Sequence, residues 1–192
     1  MMVFLRENLV FFAIPKTGTT AIEAALADRA SIVLRDPPHV KHMTVATYAR
    51  VLRPLVKADH EMMAIIRHPL DWHGSNYRYR TRAALKGSPR STAGMSFAAF
   101  IEALLPEEGA EPEGSQSKFL SLPDGSCPVQ HLFRYEAQER ILGFLRARFG
   151  EDLVLPRLNV SPERVLELPP NLRAAHERAF ARCYEIWEGA AH

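Results

Sequence analysis

The chain has 192 residues, 47% apolar and 24% charged, which suits one globular domain with a real core and excludes a disordered or low-complexity chain. A formal net charge of +2 argues neither for nor against nucleic acid. Cys127 and Cys183 stand alone and far apart, which excludes a disulfide framework and zinc spacing and leads us to expect a reducing, cytoplasmic setting.

The first apolar run, Leu9 to Ile14, is long enough for one buried strand. Glu7 interrupts the residues before it, so no signal peptide is expected. The chain turns at Pro15 into Lys16-Thr-Gly-Thr-Thr20, and a helix is expected from about Thr17 to Asp28 because Ala21 to Leu26 are good helix formers. Ser31 to Leu34 is a candidate short strand. Asp36 to Thr44 is too rich in proline to be helical and is expected as a loop carrying His39, Lys41 and His42. Thr44 then caps a helix with Val45, Tyr48 and Leu52 on one face, ending near Pro54.

Glu61 to Arg67 is the next buried strand, and Pro69 suits the first turn of a helix running into the eighties. A loop follows from Lys86 to Gly94. Ser96 caps a helix with Phe97, Phe100, Ile101 and Leu104 on its apolar face. The acidic, breaker-rich stretch from Pro106 to Ser115 is expected as an exposed loop. Pro128 to Arg134 reads as a third strand, and Glu136 to Phe149 as a helix with Ile141, Leu142, Leu145 and Phe149 inward, stopped by Gly150. Leu153 to Leu155 is a candidate edge strand. One last helix is expected from about Pro170 to Glu188, with Leu172, Ala175, Ala179, Cys183 and Ile186 in its stripe. No stretch approaches the length of a membrane span. Buried strands alternating with amphipathic helices predict an α/β domain, a single parallel sheet flanked by helices on both faces.

The chemistry concentrates at two strand ends, where ligands of such sheets bind. Strand, tight polar turn and helix is the layout of a phosphate-binding loop. The first-turn N–H groups of a helix lack partners and its dipole favours an anion. Gly18 permits close backbone approach, Lys16 supplies a full charge, and Thr17, Thr19 and Thr20 supply hydroxyls. Lys16 precedes the only glycine of the loop, so this is not the Gly-x-x-x-x-Gly-Lys order of an ATP or GTP loop. At the second strand end stand Arg67, Pro69, Ser75 and Tyr77; a guanidinium with a nearby hydroxyl suits a dianionic phosphate. A strand-end salt bridge for Arg67 and a surface lysine for Lys16 are the plain alternatives.

Taken in this order, Pro15 to Thr20 resembles the 5'-phosphosulfate loop of sulfotransferases that use 3'-phosphoadenosine 5'-phosphosulfate (PAPS), and Arg67 to Ser75 resembles their 3'-phosphate motif. His39 to Thr44 resembles the histidine segment of uronosyl 2-O-sulfotransferase-type and other carbohydrate sulfotransferases. Gln116 with Phe119 and Leu120, Leu132 to Glu136, and Leu155 to Ser161 are similar to later landmarks of that group, so the resemblance runs from about residue 9 to 161. It implies a P-loop-like sulfotransferase fold and sulfuryl transfer from PAPS to a small-molecule or saccharide hydroxyl. It implies no metal, no nucleic-acid partner and no membrane span, and leaves the oligomeric state open. It implies that Lys16 is catalytic, that Thr17 to Thr20 bind the donor's 5' end, that Arg67 and Ser75 bind its 3'-phosphate, and that Tyr135 approaches the adenine. The chain is short for this family.

Three residues are candidates for the base: Glu23, His39 and His42. A histidine is mostly neutral at pH 7, and His42 sits against the helix capped by Thr44, so it is preferred. Arg78, Arg80, Arg82, Lys86 and Arg90 form a basic run with no acid among them, read for the most part as a solvated face. Two rivals remain: a P-loop kinase, which the arginine at the end of the second strand disfavours, and a non-catalytic nucleotide-binding module.

Overall fold

The first strand precedes the first one expected. In the computed structural model, which describes residues 1–56, 59–107, 112, 115–156, 158 and 166–191, Met2–Phe4 forms β1. The chain turns back through Asn8, at φ 51, into β2 (Leu9–Phe12). Asparagine tolerates this left-handed backbone better than most residues. β1 pairs antiparallel with β2, Phe4 opposite Leu9, and antiparallel with β3 (Ile32–Val33). β4 (Glu61–Ile66) runs parallel to β2, and β5 (His131–Arg134) parallel to β4. Among the described residues the sheet order is β3-β1-β2-β4-β5. The sheet is therefore mixed, which corrects the all-parallel expectation. Apolar runs report burial on both faces, and a covered antiparallel strand looks the same.

Alternation along the strands divides the core. Phe4, Leu9, Phe11, Met63, Ile65 and Phe133 pack on one face against α1 (Thr19–Leu26) and α8 (Gln138–Phe149), through Ile22, Leu26, Ile141, Leu145 and Phe149. Val3, Val10, Phe12, Met62, Ala64 and Ile66 pack on the other with Val45, Tyr48, Leu120 and Ile186. Both faces are covered, as the sequence predicts, and the described residues form one α/β unit.

Several boundaries differ from expectation. Pro38 opens a one-turn helix, α2 (Pro38–Lys41), in the segment read as too proline-rich: proline at the first helical position loses only an N–H that had no partner. Thr44 accepts from the Thr47 amide, capping α3 (Val45–Thr47) as expected. The helix then widens into a π turn, Tyr48–Leu52, and continues past Pro54 as α4 (Arg53–Val56). α5 (Pro69–Arg80) and α6 (Phe97–Glu102, capped by Ser96) are where the sequence places them. α7 (Gln116–Leu120) was not expected as an element. Leu153 to Leu155 is not a strand. The last helix is two, α9 (Pro170–Ala179) and α10 (Ala181–Glu188), broken at Phe180. Most of the acidic loop, and Arg157 and Asn159 to Ser161 of the last landmark, lie outside the described residues.

His73 on α5 and His176 on α9 are both buried, with Nδ1 of His73 2.8 Å from Nε2 of His176, and His176 Nδ1 3.1 Å from the Tyr184 hydroxyl. Burial first, then the charge of His176, pushes the His73 pKa down to about 3; burial, then His68, pushes His176 down to about 4. An unfolded histidine binds its proton near ~6.5, so below that pH the unfolded chain takes up more protons than the folded one. Stability is therefore expected to fall as pH drops from 6.5 through 4 toward 3. Urea midpoints of wild type and a His73→Phe, His176→Phe double variant check this: the double variant should show a shallower acid loss, and parallel curves would refute it.

Candidate functional site

The loop leaves the end of β2 and is held from both sides. The Thr17 side chain is buried and donates to the Ile14 carbonyl at 2.9 Å, so its hydroxyl closes the loop from within and its amide is what remains for a ligand. Trp72 of α5 donates its indole N–H to the Pro15 carbonyl at 2.6 Å. Lys16 sits at φ 66 and Gly18 at φ 75. The left-handed region suits glycine but costs a lysine roughly 1–2 kcal/mol, a strain that concentrates at functional sites. Gly18 caps α1, and Ala21 donates to its carbonyl. No acceptor among the described residues takes the amides of Lys16 to Thr20, which leaves them available to an anion. Thr19 is buried, and Thr20 is exposed beside them.

Arg67 follows β4, which is parallel to β2, so both motifs emerge at the same edge of the sheet. Tyr135, just past β5, joins them. Its amide donates to the Ile66 carbonyl at 2.7 Å, the Arg67 guanidinium lies 4.6 Å from its ring centroid, and its edge lies 3.2 Å from where a Cβ on Gly18 would stand. The close approach explains why position 18 takes glycine. Gln116, buried on α7, accepts from the Arg67 amide at 3.0 Å and donates to its carbonyl at 2.8 Å. The Arg67 backbone is thus clasped as if by another strand, while its Nε is buried with no partner among the described residues. Buried guanidinium N–H groups without acceptors are rare, and this one suits an incoming anion. Ser75 is buried on α5. Burial first, then the charge of Arg67, lowers the Arg78 pKa from its usual value, which places both charged guanidinium groups in one field.

The three candidate bases separate. His42 Nδ1 lies 2.6 Å from the Ala13 carbonyl. A carbonyl only accepts, so Nδ1 carries the proton and Nε2 keeps its lone pair. Burial lowers the His42 pKa against the opposing effect of that bond, and the ring is neutral at pH 7. Glu23 is paired with Arg35 at 2.8 Å and Lys41 at 2.7 Å. Burial alone would raise its carboxyl, but hydrogen bonds from Lys41 and Arg35 outweigh it and hold it below the usual value. That geometry ties α1 to α2, one residue ahead of His42, and leaves a weak base. His39 is exposed.

Sequence reasoning missed Tyr79, Trp72 and the place of the arginines. Lys16 Nζ lies 3.2 Å from the Tyr79 ring centroid, and the Arg82 guanidinium 4.9 Å from the same ring. Burial first, then Arg82 and Arg80, lowers the Lys16 pKa to about 8. Arg82, Lys86 and Arg90 are exposed, as expected of a solvated face, but Arg82 and the half-buried Arg80 also lie close enough to the loop to act on Lys16. The available signal was helical spacing: Trp72, Ser75 and Tyr79 share one side of α5. A cavity of about 1100 Å³ lies elsewhere, between α7 and the α9–α10 break, lined by Ser117, Lys118, Phe180 and Arg182, and none of the loop residues reach it. No helix among the described residues is long and apolar enough to cross a membrane. Compared with family models, curated proteins and solved structures, the chain matches none.

Proposed function

We propose that this chain is a sulfotransferase with the P-loop-like fold of that family, moving the sulfuryl group of PAPS to a hydroxyl on a carbohydrate or glycoconjugate. One observation carries the reading: Tyr135 lies beside both Gly18 of the lysine loop and Arg67 of the second motif, so two motifs distant in sequence meet at one end of the sheet. The acceptor oxygen attacks sulfur in line, its proton passes to Nε2 of His42, and the bond from sulfur to the bridging oxygen breaks with its electrons on the departing 5'-phosphate. Charge grows on that bridging oxygen, where the Lys16 ammonium and the amides of Thr17 to Thr20 stabilise it. Arg67 and Ser75 hold the 3'-phosphate and so fix the donor's register. Tyr135 offers its ring to the adenine.

Calorimetry with two nucleotides tests the assignment. Adenosine 3',5'-bisphosphate should bind more tightly than adenosine 5'-monophosphate by on the order of 1.5–3 kcal/mol, roughly 10- to 150-fold. Equal affinities would sink it. Bisphosphate binding without turnover of PAPS on any acceptor of a saccharide panel would leave a binding module. Loss of activity in EDTA would favour phosphoryl transfer instead.

The two titrating groups also set a pH profile. His42 must be neutral, and its lowered pKa puts the acid limb below ~6.5. Lys16 must be charged, which is lost as pH rises through about 8. A plot of kcat/KM should therefore be bell-shaped between these limits, and a profile still rising at pH 9 would remove Lys16 from its role.

A further inference from the structure

We infer that Tyr79 is the positioning residue for Lys16, holding its ammonium over the mouth of the loop against the repulsion of two neighbouring arginines. The inference rests on the proposed sulfuryl transfer for its catalytic consequence, but its geometry stands alone. Lys16 leaves the loop from a left-handed backbone, at φ 66, so its side chain points where its neighbours' do not. There Nζ meets the face of Tyr79 at 3.2 Å from the ring centroid, well within the range of a cation–π contact. No carboxylate among the described residues pairs with Lys16, Arg80 or Arg82. A lysine in that field would otherwise swing into solvent, since a flexible four-carbon stem holds no position by itself.

The ring sits in the last turn of α5, whose start Trp72 ties to the Pro15 carbonyl. Helix and loop therefore move together, and the distance from ring to lysine is set by the scaffold. The Tyr79 ring is 39% exposed, so it contributes little to the core. Its hydroxyl has no partner among the described residues, and its ring is what Lys16 and Arg82 meet. Misplacement of a catalytic group by about 1 Å is enough to lose up to ~10²-fold in rate. Tyr79 is thereby also a reason why Arg80 and Arg82 can approach the loop without displacing Lys16.

The test uses the full chain with Tyr79→Leu and Tyr79→Phe. In ¹H–¹³C spectra the Lys16 ε-methylene, identified by its loss in Lys16→Met, should be shifted upfield by the ring current in wild type and Tyr79→Phe, and should return to the ordinary lysine position in Tyr79→Leu. Across a titration of PAPS, Tyr79→Leu should lose roughly 10-fold or more in kcat while KM for PAPS changes less than about 3-fold, and Tyr79→Phe should keep both. An unshifted wild-type methylene, a Tyr79→Leu variant with wild-type kcat, or a Tyr79→Phe variant as poor as Tyr79→Leu overturns the inference. A wild type that transfers no sulfuryl group overturns the proposed reaction instead, and the spectra still decide whether Tyr79 holds Lys16.

Discussion

Replacing His42 by alanine is expected to lower turnover by roughly 10²–10⁴, the usual contribution of a positioned base, with little change in bisphosphate affinity. The expectation rests on the tautomer. Because Ala13 offers only a carbonyl to Nδ1, the Nε2 lone pair is free to accept the proton in the proposed transfer, and burial keeps the ring neutral near pH 7. His39→Ala should change turnover little, since that ring is exposed and the described residues give it no bond toward the loop. Glu23→Gln should also lose much less, because its carboxylate is engaged by Arg35 and Lys41. Its loss should instead loosen α2 and appear as a lowered Tm. Turnover with donor saturating separates the three. If Glu23→Gln falls further than His42→Ala, the base lies on α1 and the histidine only packs the loop.

Removing the Lys16 ammonium is expected to cut turnover by roughly 10²–10³ while weakening the bisphosphate product far less, because in the proposed reaction the charge it meets develops during transfer. Backbone strain makes the choice of variant informative. Lys16→Gly relieves a left-handed conformation that costs lysine roughly 1–2 kcal/mol, against loss of a Tyr79 contact worth about 0.5–1 kcal/mol. That variant should therefore melt no lower than wild type yet turn over no better than Lys16→Ala. Retained turnover with lost donor affinity in either variant would make Lys16 a binding residue. A sharply lowered Tm in Lys16→Gly would show that the contact with Tyr79 outweighs the strain.

Much of the arrangement was legible in the residues themselves. The apolar runs at Leu9 to Ile14 and Met62 to Ile66 read as buried strands, and Thr44 and Ser96 announce helix starts because their side chains accept from an amide three residues on. The loop chemistry was legible too, since Lys16, Gly18 and the threonines are neighbours in the chain. Strand direction was not: hydrophobicity reports whether a strand is covered, not which way it runs, and β1 is three residues long with no pattern of its own. The sequence favoured His42 over Glu23 and His39 but carried none of the contacts that separate them. The contacts of Ala13, Arg35 and Lys41 with these side chains exist only after α2 packs beside the loop. The same holds for Tyr79, Gln116 and Tyr135. Each acts on a residue far along the chain, through a ring face or a buried amide, and spacing along one segment carries no record of what another segment brings to it.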